Sequence, residues 1–140
     1  MKKVLFGLLS LTLIVATSCK KSKDAPALTK ENVAGTYILE KVTAKVNGGA
    51  EQDITSDMYE DCEKDDEMTF NVDFTFNSHD AGTECSGDYS GTWALPAANK
   101  FEFDGTVYDV ANWDGTRLAY SQTSEQMGIT GTVTFYIKKK

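Results

Sequence analysis

From Gly35 to the C-terminus, apolar side chains recur at alternate positions and almost never at every third or fourth. A period of two places alternate side chains on one face of a pleated strand, so the pattern predicts β-structure nearly throughout. Tyr37 and Leu39, then Val42 and Ala44 beyond a bulge, outline a first strand. Met68, Phe70 and Val72 line one face of the next, and Phe74 and Phe76 lead the following one across a tight Val72-Asp73 connection. Trp93 and Leu95, Phe101 and Phe103, Val107 with Asp109, Leu118 and Tyr120, and finally Val133, Phe135 and Ile137 continue the rule. Asn47-Gly48, Asp104-Gly105 and Asp114-Gly115 supply the positive backbone angles that tight hairpins need. Only Thr29 to Ala34, with Thr29 as cap, and Ser56 to Asp61 read as helical, each about one turn.

About eight short antiparallel strands with one apolar face must hide that face and their edges, and closure into a barrel does both. The expected class is therefore all-β, a small antiparallel up-and-down β-barrel with one short N-terminal helical turn. A two-sheet sandwich is the competitor, but it calls for long crossings, and only residues 47–66 offer one.

The N-terminus follows a different grammar. Lys2 and Lys3 precede an apolar run from Val4 to Ala16, then Ala16-Thr17-Ser18-Cys19. A charged start, a short greasy stretch and small residues are a secretory signal, and a cysteine directly after them reads as a bacterial lipobox whose thiol carries lipid. The run is too short for a helical span, which needs about 20 residues. The expected organisation is a signal peptide over 1–18, a lipidated flexible tether over 19–30 with Cys19 as the lipidation site, and a barrel domain over 31–140.

Charge sharpens that picture. The tether carries four lysines and one acid, Asp24, whereas the region from Glu31 onward has 8 basic and 20 acidic side chains. A basic tether suits anionic headgroups and an acidic globule is repelled by them, so the domain is expected to stand off the membrane; a monomer is expected. The same balance excludes nucleic acid as a partner, because phosphate recognition demands a basic face. After Cys19, only Cys62 and Cys85 remain, and in an oxidising compartment this pair is expected to form a disulfide. A metal site is disfavoured, since two thiols and the single His79 make an incomplete set. No cofactor is expected.

These segments together resemble the lipocalin-like domain of bacterial outer-membrane lipoproteins. The resemblance rests on the lipobox and Lys-rich tether, Leu28-Thr29-Lys30-Glu31-Asn32-Val33-Ala34-Gly35-Thr36-Tyr37, Asp61-Cys62-Glu63-Lys64-Asp65-Asp66, Met68-Thr69-Phe70 and Phe74-Thr75-Phe76. Gly82-Thr83-Glu84-Cys85, Gly91-Thr92-Trp93-Ala94-Leu95 and the Tyr136-Ile137-Lys138-Lys139 ending complete it. That family usually opens its first strand Gly-Thr-Trp; here Tyr37 stands in the Trp position and keeps an aromatic plug at the barrel floor. The resemblance implies a small calyx in a non-enzymatic lipoprotein. The basic residues after Cys19 differ from the acidic run that looks like a surface-export tag in related lipoproteins, so a periplasm-facing outer-membrane location is expected over the cell surface.

The inward set is expected to be Tyr37, Leu39, Phe70, Phe74, Phe76, Trp93, Leu95, Phe101, Phe103, Leu118, Tyr120, Val133, Phe135 and Ile137. An eight-stranded barrel either fills with side chains or admits one small apolar ligand, and both outcomes stay open. The ligand residues in the second case are Tyr37, Leu39, Phe70, Phe74, Phe76, Trp93, Phe101, Phe103, Leu118, Tyr120 and Phe135. The acidic run Glu60, Asp61, Glu63, Asp65, Asp66, Glu67 does not fit an EF-hand loop, which wants alternate acids with a Gly at the sixth position, and reads as a solvated connection. His79 reads as an exposed loop imidazole, and Arg117, between inward positions, should face water. Asp109 points outward between Tyr108 and Val110 or sits at a bulge. No nucleophile–base motif is present, so no enzyme is expected. Two functions remain: a module that binds a small hydrophobic molecule in the barrel, and a packed envelope protein that acts through loops 47–66 and 79–90.

Overall fold

A computed structural model describes residues 25–85 and 87–140; the lipobox with Cys19 and the tether through Asp24 lie outside the described residues. In chain order, the described strands are β1 (Gly35–Val46), β2 (Gln52–Asp53), β3 (Glu67–Phe70), β4 (Thr75–His79), β5 (Tyr89–Ala94), β6 (Lys100–Phe103), β7 (Thr106–Trp113), β8 (Arg117–Gln126) and β9 (Ile129–Lys139). Helical turns α1 (Lys30–Val33) and α2 (Thr55–Met58) and a 3₁₀ turn at Asp61–Glu63 complete the inventory. Every strand from β3 to β8 pairs with its successor, β1 pairs with both β3 and β9, and the sheet closes into an eight-stranded antiparallel up-and-down barrel. The two-residue β2 only extends the outer edge of β1 at Thr43 and Ala44.

Closure needs β1 to serve two neighbours, and a bulge between Leu39 and Lys41 makes this possible by bending the strand. Below the bulge, Gly35 to Ile38 pair with β3, and the strand pairs with β9 on its other side from Tyr37 to Val46. This places Leu39 and Val42 in register with Ile137 and Phe135, as the alternation predicts.

One end of the barrel is sealed. Thr29 caps α1 by accepting from the Asn32 N–H at 3.3 Å, and Val33, fully buried, plugs the floor. The Tyr37 hydroxyl donates to the Val33 carbonyl at 2.6 Å, so this phenol fastens the plug to the first strand. Lys139 Nζ donates to the Asn32 carbonyl at 2.6 Å and lies over the Tyr37 and Trp113 rings. The Trp113 indole in turn donates to the Pro26 carbonyl at 2.8 Å, and Leu28 packs on the core, so residues from Pro26 onward are docked on the barrel floor.

Above the plug, rings fill the interior. Phe70 meets Tyr37, Trp93, Phe101, Phe103 and Phe76 at centroid separations of 5.4, 5.6, 5.6, 5.9 and 6.1 Å, mostly edge to face. Leu118, Ile137 and Tyr120 close the same cluster, with Leu95 and Phe135 packed against it.

Three sequence expectations are corrected. Phe74 is not inward: a four-residue turn from Asn71 to Phe74, tied by Asp73 Oδ1 accepting from Thr75 at 3.0 Å, puts Phe74 at φ 68° and 38% exposed, against the outer edge of Trp93. Val72 lies in that turn at 55% exposure. On β7 the phase expected for Val107 is reversed: Val107 is 48% exposed while Tyr108 and Val110 pack on the core; Asp109 points outward between them, as expected, and pairs with Lys100. The Asp104-Gly105 and Asn47-Gly48 turns have positive φ at both residues, whereas at Asp114-Gly115 only the glycine does, and Asp114 caps the turn through its side chain. Met127-Gly128 is a hairpin turn that its weak polarity concealed.

Candidate functional site

The floor rings do not continue to the other end. Moving toward the mouth along each strand, the next inward position after Tyr37 is Leu39, after Phe70 it is Met68, and after Phe76 it is Ser78. On β5 the step from Trp93 passes Gly91 before reaching Tyr89. A Cβ at Gly91 would lie 2.6 Å from Phe76 Cε1, so the glycine is what lets the Phe76 ring turn into the wall there. Smaller side chains in this upper layer leave a cavity of about 410 Å³. Its walls are Leu39, Met68, Ser78, Tyr89, Phe103 and Tyr120 from the strands, with Tyr59, Glu63 and Asp66 from the long β1–β3 connection and Gly87 from the β4–β5 loop.

Those two connections form the rim. The 3₁₀ turn is closed by a reciprocal cap in which the Glu63 carboxylate accepts from the Glu60 N–H at 2.8 Å. Lys64 holds it to α2 by donating to Ser56 Oγ at 3.1 Å while pairing with Asp61. The β4–β5 loop is organised around Asp80, a buried carboxylate that accepts from the Cys85 and Gly87 N–H groups. Asp88 accepts from the Asp80 N–H at 2.9 Å and bonds His79 Nδ1 at 2.8 Å. The Cys62–Cys85 disulfide, with Cα atoms 6.0 Å apart, joins the two rim segments as the sequence predicts. Asp66 Oδ1 accepts from the Ala81 N–H at 3.3 Å beside it, and Gly82, at φ 68°, lies directly against the Asp65 carboxylate.

The polar groups of the cavity are phenols and carboxylates. Burial, then the charge of Glu63, then Tyr108, raises the Tyr59 phenol above its ordinary value. Burial and a hydrogen bond to Asp104 push Tyr89 up to about 12, and burial raises Tyr120 further. All three phenols are therefore protonated near neutral pH; the Tyr89 O–H is engaged by Asp104, and Glu63 and Asp66 add carboxylates to the wall.

Of the sequence-predicted ligand residues, Leu39, Phe103 and Tyr120 line this cavity. Tyr37, Phe70, Phe76, Trp93, Phe101 and Leu118 are buried in the packed floor, Phe135 stacks on Tyr120 at 5.3 Å, and Phe74 lies outside in its turn. The wall residues that pattern reading missed are Tyr59, Glu63, Asp66, Ser78, Gly87 and Tyr89, and Met68 was read as strand face alone. Ser78 and Gly91 break the apolar rhythm on either side of the gap, and that break is the signal that marks it. Arg117 faces water, its Nε donating to Glu40 at 3.0 Å, and His79 ends β4 at the surface. Among the described residues, no group of three or more His, Cys, Asp or Glu side chains is placed to hold a metal, and no helix is long and apolar enough to cross a membrane.

A closed eight-stranded barrel with a helical plug, a ring-filled floor and a stapled mouth is a lipocalin-type calyx, and the model of the lipocalin-like domain family matches residues 33–130. The chain belongs to the lipocalin-like domain family. No curated protein and no solved structure matched it. Within this lipocalin-like domain the matched span starts at the plug residue Val33 and runs past the Met127-Gly128 turn, so it takes in every cavity-lining residue.

Proposed function

We propose that this lipocalin-like domain is an envelope lipoprotein, anchored in the outer membrane through lipid on Cys19, that holds a small hydrophobic molecule in the mouth half of its barrel. One observation carries the binding reading: a cavity of about 410 Å³ with apolar and aromatic walls opens at one end of a barrel whose other end is sealed. That volume is in the range of small-molecule sites, and the few convergent polar groups suit orientation of one bound molecule. The buried, protonated phenols are donors and poor bases, which favours a carrier over a catalyst.

The anchor reading rests on the lipobox and is supported by the docked tether. Pro26 sits at the floor, on Trp113, and seven residues from Cys19 reach about 25 Å when extended. Lipid on Cys19 would thus hold the floor toward the bilayer and turn the mouth toward the aqueous periplasm. Native mass spectrometry of the full-length lipoprotein, released from membranes, should detect a co-purified small molecule, and a neutral hydrophobic fluorophore should be taken up saturably at one per chain. No saturable uptake would sink the carrier reading in favour of loop-mediated interaction. Incorporation of labelled glycerol, abolished in Cys19→Ala, tests the anchor separately.

A further inference from the structure

We propose that the mouth cavity selects organic cations: amine-bearing molecules with an apolar body, in preference to fatty acids or neutral lipids of the same size. This rests on the cavity being the ligand site. The described side chains that line it include two carboxylates, Glu63 and Asp66, and no Lys or Arg. The nearest lysine on the same segment, Lys64, is turned away to Ser56 and Asp61. Four rings, Tyr59, Tyr89, Phe103 and Tyr120, stand around the same space, and a cation gains from aromatic faces as well as from carboxylates.

The two kinds of wall act together on charge. An ammonium entering from water loses hydration, and in a partly enclosed site that loss is offset most effectively by fixed negative groups and ring faces. Here both are built in, and the positions of Glu63 and Asp66 are set by backbone donors at Glu60 and Ala81, with the disulfide holding the two rim segments together. A carboxylate ligand would meet two like charges at the same place, which disfavours it. A neutral alcohol of the same body could donate one hydrogen bond to a carboxylate but would lack the charge–charge attraction and the ring-face attraction that a cation gains.

Isothermal titration of the full-length protein in nanodiscs, with empty nanodiscs as blank, against phenethylammonium, phenylethanol and phenylpropionate separates these cases. Phenethylammonium should bind one per chain at least tenfold more tightly than either of the others. In Glu63→Gln with Asp66→Asn, which keeps the acceptor oxygens, that preference should fall to less than threefold while phenylethanol binding holds. Equal or tighter binding of phenylpropionate or phenylethanol to the wild type overturns cation selection and leaves the carrier reading standing. Absence of binding by all three overturns both. Retained tenfold preference in the double variant also overturns the assignment, because the discrimination would then come from elsewhere.

Discussion

Phe70 and Phe74 are four positions apart on the same hairpin and of one residue type, yet they do opposite work. Phe70 touches five other rings in the floor, whereas Phe74 caps a turn with one face in water. Phe70→Ala should cost about 3–5 kcal/mol, since both transfer and cavity contributions are lost, and Phe74→Ala should cost about 1 kcal/mol or less; urea denaturation of the two variants measures the difference. His79 offers a second residue-level prediction. Its hydrogen bond to Asp88, followed by that carboxylate's charge, raises its pKa above 6.5. Folding is therefore favoured by protonation: the contribution is complete below about pH 6.5, and it is lost as pH rises through the higher folded value. Because His79 is the single histidine, its imidazole proton resonance can be followed alone, and its midpoint should fall back toward 6.5 in Asp88→Asn.

At the level of elements, the rim is the part of the fold with the least support from strand pairing. Among the described residues, the connection from Asn47 to Asp66 and the loop from Asp80 to Asp88 carry little regular structure, and their mutual links include the disulfide and the Asp66–Ala81 and Asp65–Gly82 contacts. Closing a loop of 23 residues stabilises by about 3 kcal/mol in the chain-entropy model. Replacing Cys62 and Cys85 together by Ala should lower stability by about that amount. Amide exchange should accelerate at Ala81 and Gly87 while protection persists at Trp93 and Tyr120, because the floor does not depend on the staple. Uniform loss of protection would instead mean that rim and barrel fold as one unit.

Across the whole molecule, one interior is divided between support and space: rings seal the floor and the cavity occupies the mouth. Leu39→Trp should place an indole into that space, abolish uptake of a neutral hydrophobic fluorophore and leave the melting temperature within a few degrees of wild type; uptake that survives would put the ligand elsewhere. Alternation by itself determined the class, the eight strands, the up-and-down order and the bulge in β1, because period-two burial is a local property of pleated chain. The Cys62–Cys85 pairing was equally legible, because these are the two cysteines left over if Cys19 carries lipid. Only the tertiary structure decided which apolar positions are floor and which are wall, since that depends on how far along the barrel axis each strand is staggered. It also put Phe74 outside through a turn, reversed the phase of β7, and brought Glu63, Asp66 and Tyr59 over the mouth, because residues from an irregular connection acquire an address only when the barrel closes beneath them.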